Sequence, residues 1–164
     1  QLLQARHTDL HFVIPAANAE RHQQIESVLQ STALSVSVIS GQGREVMRCS
    51  DAIMIASGTA TLEAMLLRKP MVISYRMAAL SWAILSRLVK TPYVGLPNVL
   101  AGEEVVPELL QHHATASQLA DAVSRVLEGD GDRQVRRFNE LAGLIGGNFA
   151  ERTIDALLPL VKGR

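Results

Sequence analysis

Three short stretches combine residue types that could hold a ligand. The first is Ser57-Gly58-Thr59, which follows the apolar run "AIMIA" and opens a helix. Such a turn leaves backbone N–H groups unpaired at the positive end of the helix, where a phosphate or diphosphate is the natural guest. Gly58 would let the ligand approach the backbone closely, and the two hydroxyls could add hydrogen bonds. An ordinary N-cap from Ser57 or Thr59 accounts for the same residues, so the turn alone leaves both readings open. Glu63 bears on the choice. It follows Thr59 by four residues, one more than a capping box needs, and Ala60, three residues before it, has no side-chain oxygen. The carboxylate could merely favour the helix's positive end. Alternatively, it could accept two hydroxyl hydrogen bonds from a ribose, one turn behind bound phosphates.

The second stretch is Gly41-Gln42-Gly43. It could border a base or a sugar, although a turn with two glycines needs no ligand. The third is Arg76, at the end of "MVISY". That position suits a ligand phosphate, with a surface salt bridge as the alternative. Other chemistries lack their signatures. There is no GxGxxG fingerprint and no Walker sequence ending in GK[ST]. The five histidines show no ligand spacing, and Cys49 is the sole cysteine, which argues against a structural zinc site and rules out an internal disulfide.

Elements able to position these stretches follow from the apolar pattern. Short apolar runs at 10–14, 34–40, 52–56 and 71–75 read as strands, with helices between them over 19–30, 44–50 and 60–68. Strands alternating with helices over short connections imply βαβ units and a parallel sheet: an α/β fold of Rossmann-like type. The strands are apolar along most of their length, as expected when helices cover both faces. Residues 77–89 are apolar nearly all round and too short for the about 20 residues that span a bilayer; they read as a buried helix, with a greasy wall beside an acyl-chain or membrane-facing site as the alternative. Residues 93–97 read as a last strand, followed by helices near 103–111, 116–128, 132–145 and 149–162. "EGDGD", 128–132, is the clearest turn and the expected flexible joint. In open parallel sheets ligands bind beyond the carboxyl ends of the strands, and all three stretches fall there.

The totals agree. The 164 residues suit one domain with a real core, and 48% hydrophobic with 20% charged residues is a globular composition. Sixteen Lys plus Arg balance sixteen Asp plus Glu, which argues against a general nucleic-acid binder. The opening "QLLQARHTDLHF" reads as the end of a helix already under way, so the sequence is expected to lack an N-terminal part.

Residues 50–102 carry a closer likeness. "SDAIMIASGTATLEAMLLRKPMVISYRM" followed by "RLVKTPYVGLPNVLAGEEVVPELLQ" closely resembles the bacterial lipid-A-disaccharide synthases. The likeness extends from "FVIPAANAE" to the C-terminal helices. Its most specific parts are SGTATLE, the turn PMVISYRM and the stretch YVGLPNVLAGEEVVPELLQ. The glycine turn with its Glu is similar to the donor-binding element of many two-Rossmann-domain glycosyltransferases.

The resemblance implies the C-terminal domain of a GT-B type glycosyltransferase, with an incomplete UDP-binding unit over 1–130 and trailing C-terminal helices over 131–164. It implies inverting transfer of 2,3-diacylglucosamine from UDP-2,3-diacylglucosamine to lipid X, giving lipid A disaccharide 1-phosphate and UDP without metal or cofactor. By carry-over, Ser57, Gly58 and Thr59 lie at the phosphates, Glu63 at the ribose, Asn98 in the donor pocket, and Gln42 and Gly43 on the nucleotide side. The catalytic base and the domain's first strand belong to a part absent from this sequence. The trailing helices, apolar at Leu157, Leu158 and Val161, are expected to meet the missing N-terminal domain or a second subunit in a homodimer. The setting implied is the cytoplasmic face of the inner membrane, as a peripheral protein. Rival readings are a peptidoglycan N-acetylglucosaminyltransferase, a UDP-sugar 2-epimerase, or a non-catalytic nucleotide-binding module. The YRM and LPNVLAG stretches favour the disaccharide synthase.

Overall fold

A computed structural model describes residues 1–32, 34–78, 81–82, 91–145 and 158. The chain alternates strands and helices: α1 (Leu2–Arg6), β1 (Phe12–Ala16), α2 (Ala19–Leu29), β2 (Val36–Ser40), α3 (Gly43–Cys49), β3 (Ile53–Ile55), α4 (Thr59–Leu66) and β4 (Met71–Tyr75). After these come α5 (Leu96–Ala101), β5 (Glu108–Leu110), a 3-10 turn over Gln111–His113, and α6 (Ala116–Arg125). Val126–Asp130, kinked at Gly129, lead from α6 into α7 (Gly131–Ile145). All strand pairings among the described residues are parallel. β1 pairs with β2 in one sheet, and the order β3-β4-β5 makes the second. The fold is α/β with helix-covered parallel sheets, as the sequence pattern implies.

Strand β4 shows how the covering works. Its side chains alternate between faces. Met71 and Ile73 enter one core with Ala64 and Met65 of α4, Val105, Val106, and Phe138 and Leu141 of α7. Val72 enters the other, with Leu3 of α1 and Ala120, Ala122, Val123 and Val126 of the α6 layer. Burying a side chain such as Phe138 or Leu141 contributes roughly 1.5–3 kcal/mol, so α7 is a strong clamp on this sheet. Phe138 and Leu141 of α7 thus share the core beneath β3-β4-β5.

Several boundaries differ from the sequence reading. β1 runs to Ala16, through Pro15 and beyond the expected range 10–14. Pro15 pairs opposite Ile39, and β1 has no strand on its other side among the described residues, so the missing N–H is tolerated on an edge. The run 93–97 is not the last strand. Pro97 sits in the first turn of α5, where its lost N–H costs nothing. The last strand is instead Glu108–Leu110, inside the stretch expected to be helical. Pro107 blocks a helix there, and its carbonyl accepts the Ile73 N–H at 2.9 Å, drawing the chain alongside β4. "EGDGD" does hold a turn: Gly129, at φ 140 and ψ −22, breaks the helical path and sets a kink between α6 and α7. Most of the expected helix 77–89 lies outside the described residues, as does that over 149–162 apart from Leu158. Among the described residues no helix is long and apolar enough to cross a membrane.

Candidate functional site

The carboxyl ends of β3 and β4 bring two of the three stretches side by side. β3 ends at Ile55, the chain turns through Ala56–Gly58, and α4 begins at Thr59. The residue before the helix is Gly58, at φ 141 and ψ −171, a region open in practice only to glycine. No side chain at this position caps the helix. Among the described residues no backbone acceptor takes the Thr59 or Ala60 N–H, while Thr61 N–H returns to the Gly58 carbonyl at 3.1 Å. A Cβ placed on Gly58 would meet nothing within 4 Å. The helix start is thus uncapped, positive and open to a ligand, the arrangement that receives phosphate oxygens.

The hydroxyls divide between structure and surface. Ser57 Oγ donates to the Val94 carbonyl at 2.8 Å, so its proton is already engaged and only its lone pairs remain. Thr59 is exposed at the first helical position. Thr61, which sequence reasoning passed over, is fully buried and donates to the Gly58 carbonyl at 2.7 Å, locking the turn from inside.

Glu63 lies in the second turn of α4. Its Oε1 is 3.8 Å from Arg44 Nε, on α3. The side chains are 44% and 66% exposed, so the pair is screened and contributes roughly 0.2–1 kcal/mol at most. The contact links the second stretch to the first: Gln42, at φ 57, precedes Gly43 and Arg44 at the start of α3. Gln42 is exposed and caps nothing with its side chain. Arg76 is also exposed, one residue beyond β4. The next residue, Met77, donates its N–H to Gln111 Oε1 at 3.0 Å, tying the loop after β4 to the end of β5.

Asn98 is the exception among the expected ligand contacts. Its side chain is fully buried in α5. Oδ1 accepts from Val105 N–H at 2.8 Å and Val106 N–H at 2.9 Å. Nδ2 donates to the Val106 carbonyl and to Glu108 Oε1, both at 2.8 Å. A buried amide must satisfy these groups, and this one does so entirely within the protein, so it does not face a donor pocket. Glu108 extends the network. Its carboxylate accepts from the Val94 and Gly95 N–H groups, each at 2.9 Å. Gly95 sits in close approach: a Cβ there would lie 2.3 Å from Ile73 Cδ1 and 3.0 Å from Glu108 Oε1, so these side chains would have to shift. From Asn98 through Glu108 and Val94 to Ser57, one hydrogen-bonded chain supports the glycine turn from behind.

Glu108 and Arg44 were not found by sequence reasoning. Glu108 had a signal: a carboxylate in the apolar run "VVPELL" must find donors if the run is a strand.

With this geometry the chain can be compared with known proteins. The family model for lipid-A-disaccharide synthetase matches residues 1–153. The chain belongs to that family. Lipid-A-disaccharide synthase of Saccharophagus degradans is 52% identical over 159 residues, covering 95% of this chain. The enzymes of that name from Pseudomonas putida (strain W619) and Vibrio cholerae serotype O1 are 46% and 44% identical over 94% and 99% of it. The chain spans only 41% of the length of the first two and 43% of the third. Family membership covers both the glycine turn with Glu63 and the α5–β5 network that supports it.

Proposed function

We propose that this chain is the donor-binding portion of a lipid-A-disaccharide synthase. The reaction is transfer of 2,3-diacylglucosamine from its UDP donor to lipid X, releasing UDP. The observation that carries the reading is the open, uncapped start of α4 at Gly58, with Glu63 one turn behind it on the same helix. In this reading the diphosphate sits over Gly58 and Thr59, and the ribose hydroxyls reach Glu63. Gln42 and Gly43 border the nucleotide, and Arg76 approaches the phosphates from the end of β4. Asn98 acts through Glu108 and Val94, holding the turn in place without touching the donor.

The chemistry follows from those places. Departure of UDP builds negative charge on the diphosphate. Preorganised N–H groups, a helix end and a guanidinium stabilise that charge without moving. Transfer with inversion also needs a base for the acceptor hydroxyl. We place that base in the remainder of a longer protein, so this chain alone binds donor without turning it over. The longer protein works as a peripheral enzyme at the cytoplasmic face of the inner membrane, and its C-terminal helices contact the N-terminal domain or a second subunit.

The test is a transfer assay on the full-length protein with UDP-2,3-diacylglucosamine and lipid X, paired with calorimetric titration of UDP. Disaccharide formation and UDP binding are expected. UDP binding with no transfer to lipid X would point to another UDP-sugar enzyme, and absence of UDP binding would overturn the reading.

A further inference from the structure

We propose that Arg44 is a positioning residue of the donor site: its guanidinium holds the Glu63 carboxylate in the orientation that accepts the ribose hydroxyls. The inference rests on Glu63 being the ribose acceptor. Arg44 is the second residue of α3, directly after the Gln42-Gly43 turn. Its Nε reaches Oε1 of Glu63 on α4, and Oε2 has no partner among the described residues. Arg44 is also the only basic side chain paired with Glu63 among the described residues.

Stability does not account for the pair. Both side chains are substantially exposed, and an exposed pair gains little while ordering two flexible side chains. Binding does account for it. A carboxylate that must meet two vicinal hydroxyls loses affinity if it explores several rotamers, and a neighbour that restricts it beforehand lowers that cost. At 3.8 Å the contact is an ion pair without a hydrogen bond, so the guanidinium charge draws the carboxylate towards α3, and its planar fork leaves N–H donors free to close on it where an ammonium acts as a point charge. Arg44 thereby joins the turn after β2 to the helix after β3, so the nucleotide side and the ribose contact are set together.

The experiment compares UDP with 2′,3′-dideoxy-UDP, by calorimetry, on the full-length protein and its Arg44→Ala and Arg44→Lys variants. The unaltered protein is expected to prefer UDP about 10-fold or more, the scale of charge-assisted hydroxyl bonds. Arg44→Ala is expected to weaken UDP about three- to tenfold while dideoxy-UDP binding and melting temperature stay unchanged, and Arg44→Lys to recover only part of the loss. Equal weakening of both nucleotides would overturn the proposal in favour of a phosphate contact. No weakening of either would overturn it outright. If the unaltered protein does not distinguish the two nucleotides, the ribose role of Glu63 falls and this inference with it.

Discussion

The Ser57 hydroxyl donates to the Val94 carbonyl at 2.8 Å, tying the glycine turn after β3 to the loop before α5. A residue whose type suggests a phosphate contact thus spends its proton on the protein. Ser57→Ala should cost about 1 kcal/mol of stability, the net worth of one such bond. UDP affinity should fall only a few-fold, through loosening of the turn. Thermal unfolding and UDP titration on one variant check both. A loss of more than about 30-fold in affinity at unchanged stability would instead make Ser57 a direct phosphate ligand, because that loss exceeds the net value of a neutral hydrogen bond.

Gly58 should tolerate no side chain. At φ 141 an alanine is strained wherever its methyl points, and the space in front of it is open, so the penalty is conformational and not a clash. Gly58→Ala should destabilise by about 1–3 kcal/mol, or shift the turn and abolish UDP binding. Denaturant unfolding together with UDP titration tests this. A variant that kept both its stability and its UDP affinity would remove the turn from the proposed site.

Much of this was legible in the residues. β4 occupies Met71–Tyr75, as its apolar pattern and the preceding Pro70 imply, because a strand buried on both faces carries its signal in every position. Ser57-Gly58-Thr59 and Glu63 were legible because their relation is local, set by the pitch of one helix. What could not be read has partners remote in sequence. Glu108 is placed by Val94, Gly95 and Asn98, and Arg44 by Glu63. β5 has only three residues and α5 six, too few for a periodicity to declare itself, and their contacts across the fold decide them.

Asn98 should be sensitive to substitution for structural reasons. Asn98→Leu leaves the Val105 and Val106 N–H groups buried without acceptors, at about 1–3 kcal/mol each. Asn98→Asp keeps those acceptors but sets a second carboxylate where the amide now donates to Glu108 at 2.8 Å. A carboxylate set so close to another favours its protonated form in the folded state, raising the folded pKa of the introduced aspartate above its unfolded value. Stability is then fully present at low pH and lost as pH rises through the folded value. Melting temperature of Asn98→Asp should therefore fall between pH 5 and pH 8 relative to the unaltered protein. A parallel response in the two proteins would mean that the carboxylates do not meet.

Glu63 is where structure and proposed function separate most clearly. As a helix-end charge paired with an exposed arginine it stabilises little, and Glu63→Gln should leave the melting temperature nearly unchanged. As the ribose acceptor it makes charge-assisted bonds worth about 1.5–3 kcal/mol, so the same variant should weaken donor use about 10-fold or more. Because the ribose is held alike in ground and transition states, the loss should fall on the donor KM, with kcat largely preserved. Steady-state kinetics of the full-length protein with varied UDP-2,3-diacylglucosamine reads the two parameters separately. An unchanged donor KM would leave Glu63 a surface charge and move ribose recognition elsewhere in the protein.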